Sequence, residues 1–268
     1  MLYRVHLFRS LSNLPSPFFR GTPKRDVVSD PIPTGCAPID DLLDGGFERG
    51  TVTQLYGPPA AGKTNLVLSA AAEVAAGGGL AVIVDTEGLS VERFEQVVGA
   101  RAEAPDAEGD LQALAERIVI QDALDFGEQR EAVRDTEALA EQADLIAVDS
   151  ATGFYRLQRD EDEEGGEALR AVANQVTHLL SLARKDDLGV VITNQVYTDP
   201  EEDRIRALGG HTLDHWTGTI VRLDRFRGGN RRATLEKHRS KPAGETAQFR
   251  IVDAGLAGTD QGGLQGSP

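Results

Sequence analysis

A chain of 268 residues can bury one sizeable α/β core, and 40% hydrophobic with 5% aromatic residues is ordinary for a globular protein. No run approaches the roughly 20 apolar residues of a membrane helix. The single cysteine, Cys36, excludes an intrachain disulfide and a cysteine-type zinc cluster, and agrees with a cytoplasmic location. The charge is lopsided: 43 acids face 28 bases for a formal net of −15, and only five of the bases are lysine. A carboxylate-rich, lysine-poor composition keeps a protein hydrated in concentrated salt, so a halophilic source is expected.

The first 25 residues have the opposite character, with five bases, no acid and three of the nine phenylalanines. Pro15, Pro17 and Pro23 argue against a long helix there. A targeting segment, a basic nucleic-acid-contacting arm and translated upstream sequence all fit this composition. The last is preferred, with Val27 or Val28 as the start, since Met1 is the only methionine. Residues 1–30 are therefore expected to lie outside the core.

From there, short apolar runs alternate with longer helical patterns, the signature of a parallel sheet with crossover helices. Strands are predicted over 51–56, 80–85, 117–121, 145–149 and 188–193, and helices over 62–76, 91–98, 125–142 and 167–185. Beyond Thr219 the pattern changes to strands with tight turns, over 219–225, 231–237 and 247–252, with Gly228, Gly229 and Asn230 turning the first pair. Residues 254–268 read as a flexible, Gly-rich tail. The expected fold is α/β: a P-loop core with a central, mostly parallel sheet and a C-terminal β-meander.

Gly57, Pro58, Pro59, Ala60, Ala61, Gly62, Lys63 and Thr64 match G-x-x-x-x-G-K-[ST] between a predicted strand and helix. Backbone N–H groups of this loop and of the helix start, Asn65 included, would cradle the phosphates of ATP. Lys63 would neutralise the β- and γ-phosphates, and the Thr64 hydroxyl would ligate Mg²⁺. The apolar strand 145–149 ends in Asp149, placed to hold the Mg²⁺ shell. Asp85, Thr86, Glu87 and Gly88 follow the second strand at the ligand-binding end of the sheet, and Glu87 is the candidate to polarise an attacking water. Thr193, Asn194 and Gln195 close the strand after Asp149, where a neutral amide can contact the γ-phosphate. The segment 196–208 reads as a polar, mobile loop that carries Arg204 and Arg206.

These motifs, with the run from Ile32 through Thr34, Gly35, Cys36 and Asp40 to Gly45, Gly46 and Phe47, resemble the RecA/RadA recombinase superfamily over residues 31–253. Within it the chain is most similar to the short archaeal RadA paralogues. The stretch before Pro31 is too short for a helix-hairpin-helix domain. Glu236, Lys237, His238, Arg239, Ser240, Lys241 and Pro242 look like the C-terminal motif of those paralogues.

The resemblance implies a RecA-type core, Glu87 as the water-activating residue, Arg93 over the adenine face and Gln195 as γ-phosphate sensor. It places DNA-binding loops at 153–166 and 196–210, with Arg156, Arg159, Arg204 and Arg206 as DNA contacts. Lys237 and Arg239 would reach a neighbouring subunit's phosphates. The implied role is accessory: weak, DNA-independent ATP hydrolysis, weak salt-dependent DNA binding, little strand exchange, and partnership with a RadA-type recombinase and with a Holliday junction resolvase. The five acids from Asp160 to Glu164 depart from a DNA-contacting loop, because they repel phosphate. An autonomous recombinase ATPase and a KaiC-like regulatory ATPase acting on protein are the alternatives.

Overall fold

The computed structural model describes residues 30–155, 166–199 and 204–259. In chain order come α1 (Ala37–Leu42), β1 (Val52–Tyr56), α2 (Lys63–Ala76), β2 (Leu80–Asp85), α3 (Val91–Ala102) and α4 (Leu111–Glu116). Next are β3 (Ile118–Asp122), α5 (Phe126–Asp135), β4 (Ala143–Asp149), α6 (Gly166–Asp186) and β5 (Gly189–Asn194). The chain continues through β6 (Val196–Asp199), β7 (Arg204–Ala207), α7 (Gly210–Trp216), β8 (Thr219–Arg225), β9 (Asn230–Lys237), β10 (Thr246–Val252) and β11 (Gly255–Gly258).

One nine-stranded sheet runs β11-β10-β9-β8-β1-β5-β4-β2-β3. From β8 to β3 every pairing is parallel, and β9, β10 and β11 extend the sheet as an antiparallel meander. The strands β1, β2 and β5 are buried at every position, as parallel strands covered on both faces must be, and so they read as continuous apolar runs. One apolar cluster gathers α1, α2, α3 and α4 against one face; the other gathers α5 and α6 against the opposite face. In α2 the small residues Ala70, Ala71, Ala72, Ala75 and Ala76 are fully buried, so the helix that carries the phosphate-binding turn lies close on the sheet.

Helix starts follow local capping chemistry. Ser90 accepts from the Arg93 N–H before α3, and Asp110 from the Ala113 N–H before α4. Before α5, Asp125 accepts from the Glu128 N–H at 2.8 Å while Glu128 reaches back to the Leu124 N–H at 2.8 Å.

Three expectations need correction. The helix predicted over 125–142 stops at Asp135 and passes into a 3-10 turn, Thr136–Ala138, where the Thr136 hydroxyl donates to the Val133 carbonyl at 2.7 Å. A threonine that satisfies the previous turn's carbonyl competes with helix propagation. The loop expected over 196–208 contains the β6–β7 hairpin, paired from Val196↔Ala207 to Asp199↔Arg204. The tail begins later than expected, because Gly255–Gly258 pairs with β10 as an edge strand. The N-terminal extension, the acidic run 160–164 and residues 260–268 lie outside the described residues. The short helices α1, α4 and α7 leave no periodic signature in the sequence, since six or seven residues fall short of two turns.

Phe249 of β10 is fully buried, and a Cβ on Gly62 would sit 3.4 Å from its ring, so the meander packs beneath the phosphate-binding turn. Phe249→Ala is expected to lower stability by about 3–5 kcal/mol, read as a lower urea midpoint; a loss below about 1 kcal/mol would contradict this packing.

Candidate functional site

The parallel strands deliver their last residues to one end of the sheet. Register places Tyr56 beside Asn194 and Asp85 beside Asp149. The turn from β1 into α2 starts at Gly57, where a Cβ would land 2.2 Å from the Leu223 carbonyl oxygen, so only glycine fits. The turn ends at Gly62, in the left-handed region at φ 107°, and no side chain caps α2. The first-turn amides of α2 are thereby left for an anion.

Lys63 is 8% exposed. Its ammonium donates to the Gly57 carbonyl at 2.9 Å and the Pro58 carbonyl at 3.3 Å. Burial pushes its pKa down, while the charges of Glu87 and Asp149 push it up. Beside it, Asp149 is 2% exposed and accepts from the Thr193 hydroxyl, with the Thr64 hydroxyl near enough to lower its pKa. Burial pushes the Asp149 carboxyl up to about 6; the two hydroxyls lower it, and Glu87 and Asp85 raise it further. The Asp149–Ser150 peptide is cis. Thr64 and Asp149 thus stand near one another, one hydroxyl and one carboxylate, hard oxygens of the kind that suit Mg²⁺. Among the described residues no group of three or more His, Cys, Asp or Glu could form an all-protein metal cage.

Glu87 and Gln195 come from loops after different strands and meet: the Gln195 amide donates to Glu87 Oε1 at 3.2 Å. Three residues behind them were missed as actors in the sequence reading. Asp85 accepts from the N–H groups of Glu87 at 3.0 Å, Gly88 at 3.1 Å and Leu89, and so shapes the loop that presents Glu87. An acid that precedes Thr-Glu-Gly is the available signal for such a turn. Asn194 is fully buried; its amide donates to the Leu208 carbonyl at 2.7 Å and accepts from the Thr152 hydroxyl at 2.6 Å. Thr152 in turn accepts from the Gln195 N–H at 3.2 Å, and the Leu208 N–H donates to the Gln195 carbonyl at 2.9 Å. These bonds close the root of the β6–β7 hairpin directly behind Gln195.

Arg93 bonds to Asn65 Oδ1 at 2.6 Å and to the carbonyls of Asp253 at 2.9 Å and Gly255 at 3.0 Å, joining α2 and α3 to the β10–β11 turn. Arg204 and Arg206 lie on β7, beyond the hairpin root. Arg156 and Arg159 lie outside the described residues. Lys237 donates to the carbonyls of Asp214 at 2.6 Å and Thr217 at 2.7 Å, and Arg239 pairs with Glu48. Register sets Lys237 beside Ile220, near the start of β8, so both cations stand toward the end of the sheet opposite the chain's own phosphate-binding turn.

This fold and this constellation define a RecA-type P-loop core. The family model described as Rad51 matches residues 24–259. A protein of Halobacterium salinarum called DNA repair and recombination protein RadB is 64% identical, covering 84% of this chain and 94% of its own length. The protein of the same name from Methanococcoides burtonii is 41% identical over 86% of this chain and 99% of its own. The solved crystal structure of the RadB recombinase superposes with a TM-score of 0.73 at 33% identity, over 85% of this chain and 100% of that one. The chain belongs to the Rad51 family and, within it, to the RadB group. No helix of the described residues is long and apolar enough to cross a membrane.

Burial of Asp149 makes the stability of the fold depend on pH. A carboxyl whose folded pKa lies above its unfolded value of 3.8 favours the fold while protonated, so that contribution is present below about pH 4 and lost as pH rises through about 6. Asp149→Asn is therefore expected to stabilise the nucleotide-free protein by about 1–3 kcal/mol above pH 6 and not below pH 4. Thermal melts across this pH range check it, and a uniform effect at all pH values would contradict it.

Proposed function

We propose that this chain is an ATP-binding accessory protein of DNA repair and homologous recombination. In this reading it binds DNA, hydrolyses ATP weakly and exchanges strands little or not at all. The observation that carries the reading is the Glu87–Gln195 contact directly above the Asn194-closed root of the β6–β7 hairpin. A group that senses the γ-phosphate is thereby bonded to the element placed to meet DNA or a partner.

In the proposed cycle the phosphates of Mg²⁺–ATP lie against the α2 amides. Lys63 exchanges the Gly57 and Pro58 carbonyls for phosphate oxygens. Thr64 and Asp149 would hold the cation, whose chemistry would be to neutralise charge on the phosphates. Glu87 orients water, and Gln195 exchanges Glu87 for the γ-phosphate, shifting the hairpin between two arrangements. The Arg93 guanidinium, fixed by Asn65 and the β10–β11 turn, stands beside the helix as the adenine platform.

The accessory role rests on charge. A protein of net −15 gains little from counterion release, least of all in concentrated salt, so its DNA binding is weak and local or partner-assisted. A RadA-type recombinase is the proposed main partner, with a Holliday junction resolvase as a second, and the cytoplasm the proposed location. Lys237 and Arg239 face away from the chain's own nucleotide, as cations must that act on a neighbouring subunit's phosphates.

Lys63→Ala is expected to weaken Mg²⁺–ATP binding about 100-fold or more while leaving the fold intact by circular dichroism. Titration calorimetry at molar salt is the measurement, and wild-type affinity in that variant would overturn the site. A pulldown at molar salt is expected to retain a RadA-type recombinase in a nucleotide-dependent yield. Strong DNA-stimulated hydrolysis with strand exchange would instead establish an autonomous recombinase.

A further inference from the structure

The phosphate-binding turn holds a residue other than glycine in the left-handed backbone region. Ala60 has φ +60°, the left-handed region, where a Cβ costs roughly 1–2 kcal/mol. Such a conformation persists only when its surroundings hold it.

The surroundings come from the antiparallel meander, at the same end of the sheet as the turn. Arg231, at the start of β9, lies opposite Arg225 in β8 and Phe249 in β10. Its Nη2 donates to the Ala60 carbonyl at 3.3 Å, and its Nη1 donates to the Gly229 carbonyl at 2.6 Å. Its stem runs over Gly62: a Cβ there would lie 3.4 Å from Arg231 Cδ. One side chain thus touches the turn at the residue with the strained φ and at the glycine that opens α2. The guanidinium is anchored at its other end in the β8–β9 turn, where Gly228 and Gly229 also take positive φ.

We infer that Arg231 is a positioning residue for nucleotide binding, holding Ala60 in its left-handed conformation from the outer side of the turn so that the loop amides are set for phosphate before the nucleotide arrives. The inference rests on the nucleotide reading of the site. It adds to that reading a residue more than 160 positions from the motif in sequence. Preorganisation of this kind removes an ordering cost from binding and leaves the phosphate contacts themselves unchanged. A lysine at 231 keeps the charge and much of the stem but offers no fork that can serve the Ala60 and Gly229 carbonyls together in the same geometry.

The test is a double-mutant cycle read by titration calorimetry with Mg²⁺–ATP and Mg²⁺–ADP. Ala60→Gly relieves the strain, because glycine adopts positive φ without penalty. Arg231→Ala is expected to weaken both nucleotides about tenfold, the scale of one hydrogen bond to a charged group. Arg231→Lys should lose about threefold, and it serves in place of the alanine variant if that one melts early. In the Ala60→Gly background Arg231→Ala should lose less than about threefold, because there is less strain left to hold.

Wild-type affinity in Arg231→Ala overturns the inference. So does an equal loss in both backgrounds, which would make Arg231 a general support of the fold. Lys63→Ala reports separately on the site itself: an unsubstituted chain that binds no nucleotide overturns the nucleotide reading and this inference together.

Discussion

A carboxylate removed from water needs compensation, and Asp149, 2% exposed at the end of β4, organises the site through what compensates it. The Thr193 hydroxyl of β5 donates to it, and the Thr64 hydroxyl at the start of α2 stands near enough to lower its pKa, so the carboxylate sits between α2 and two adjacent strands. Asp85 and Glu87 stand close enough to raise its pKa, and Lys63 is the cation near it. Three acids around one lysine leave negative charge in excess. A divalent cation would answer that imbalance, and the hard oxygens of Thr64 and Asp149 would suit it.

From that carboxylate the connection outward runs through three consecutive residues. Extended backbone turns successive side chains to opposite sides. Thr193 and Gln195 accordingly face the nucleotide side, to Asp149 and Glu87, while Asn194 faces the other way, to Leu208 and Thr152. A single strand end therefore serves both the buried Asp149 carboxylate and the root of the β6–β7 hairpin. Arg231 reaches the Gly57–Thr64 turn from the meander, so the antiparallel strands touch the proposed nucleotide site.

The sequence was legible where a chemical requirement leaves a local imprint. The strands over 80–85 and 219–225 were read to the residue, the first because it is a bounded apolar run and the second because a Gly-rich turn closes it. Gly57, Gly62, Lys63 and Thr64 declared themselves by spacing, and Glu87 and Gln195 by following strand ends. Asp85, Thr152, Asn194 and Arg231 were not legible as actors, since each works through a partner brought close only by the sheet. The hairpin at 196–207 was obscured for a related reason: β6 and β7 are four residues each, and one of them carries Arg204 and Arg206. The long helix over 125–142 failed at Thr136, where a side-chain bond overrides a continuing periodicity.

The central claim is that the nucleotide site governs the hairpin through Gln195 and Asn194. Amide hydrogen exchange of β6 and β7, measured with and without Mg²⁺–ATP, tests it most directly. The account predicts a nucleotide-dependent change in exchange across both strands, absent in Lys63→Ala. Identical exchange in the two states, with nucleotide binding demonstrated in the same sample, would contradict it.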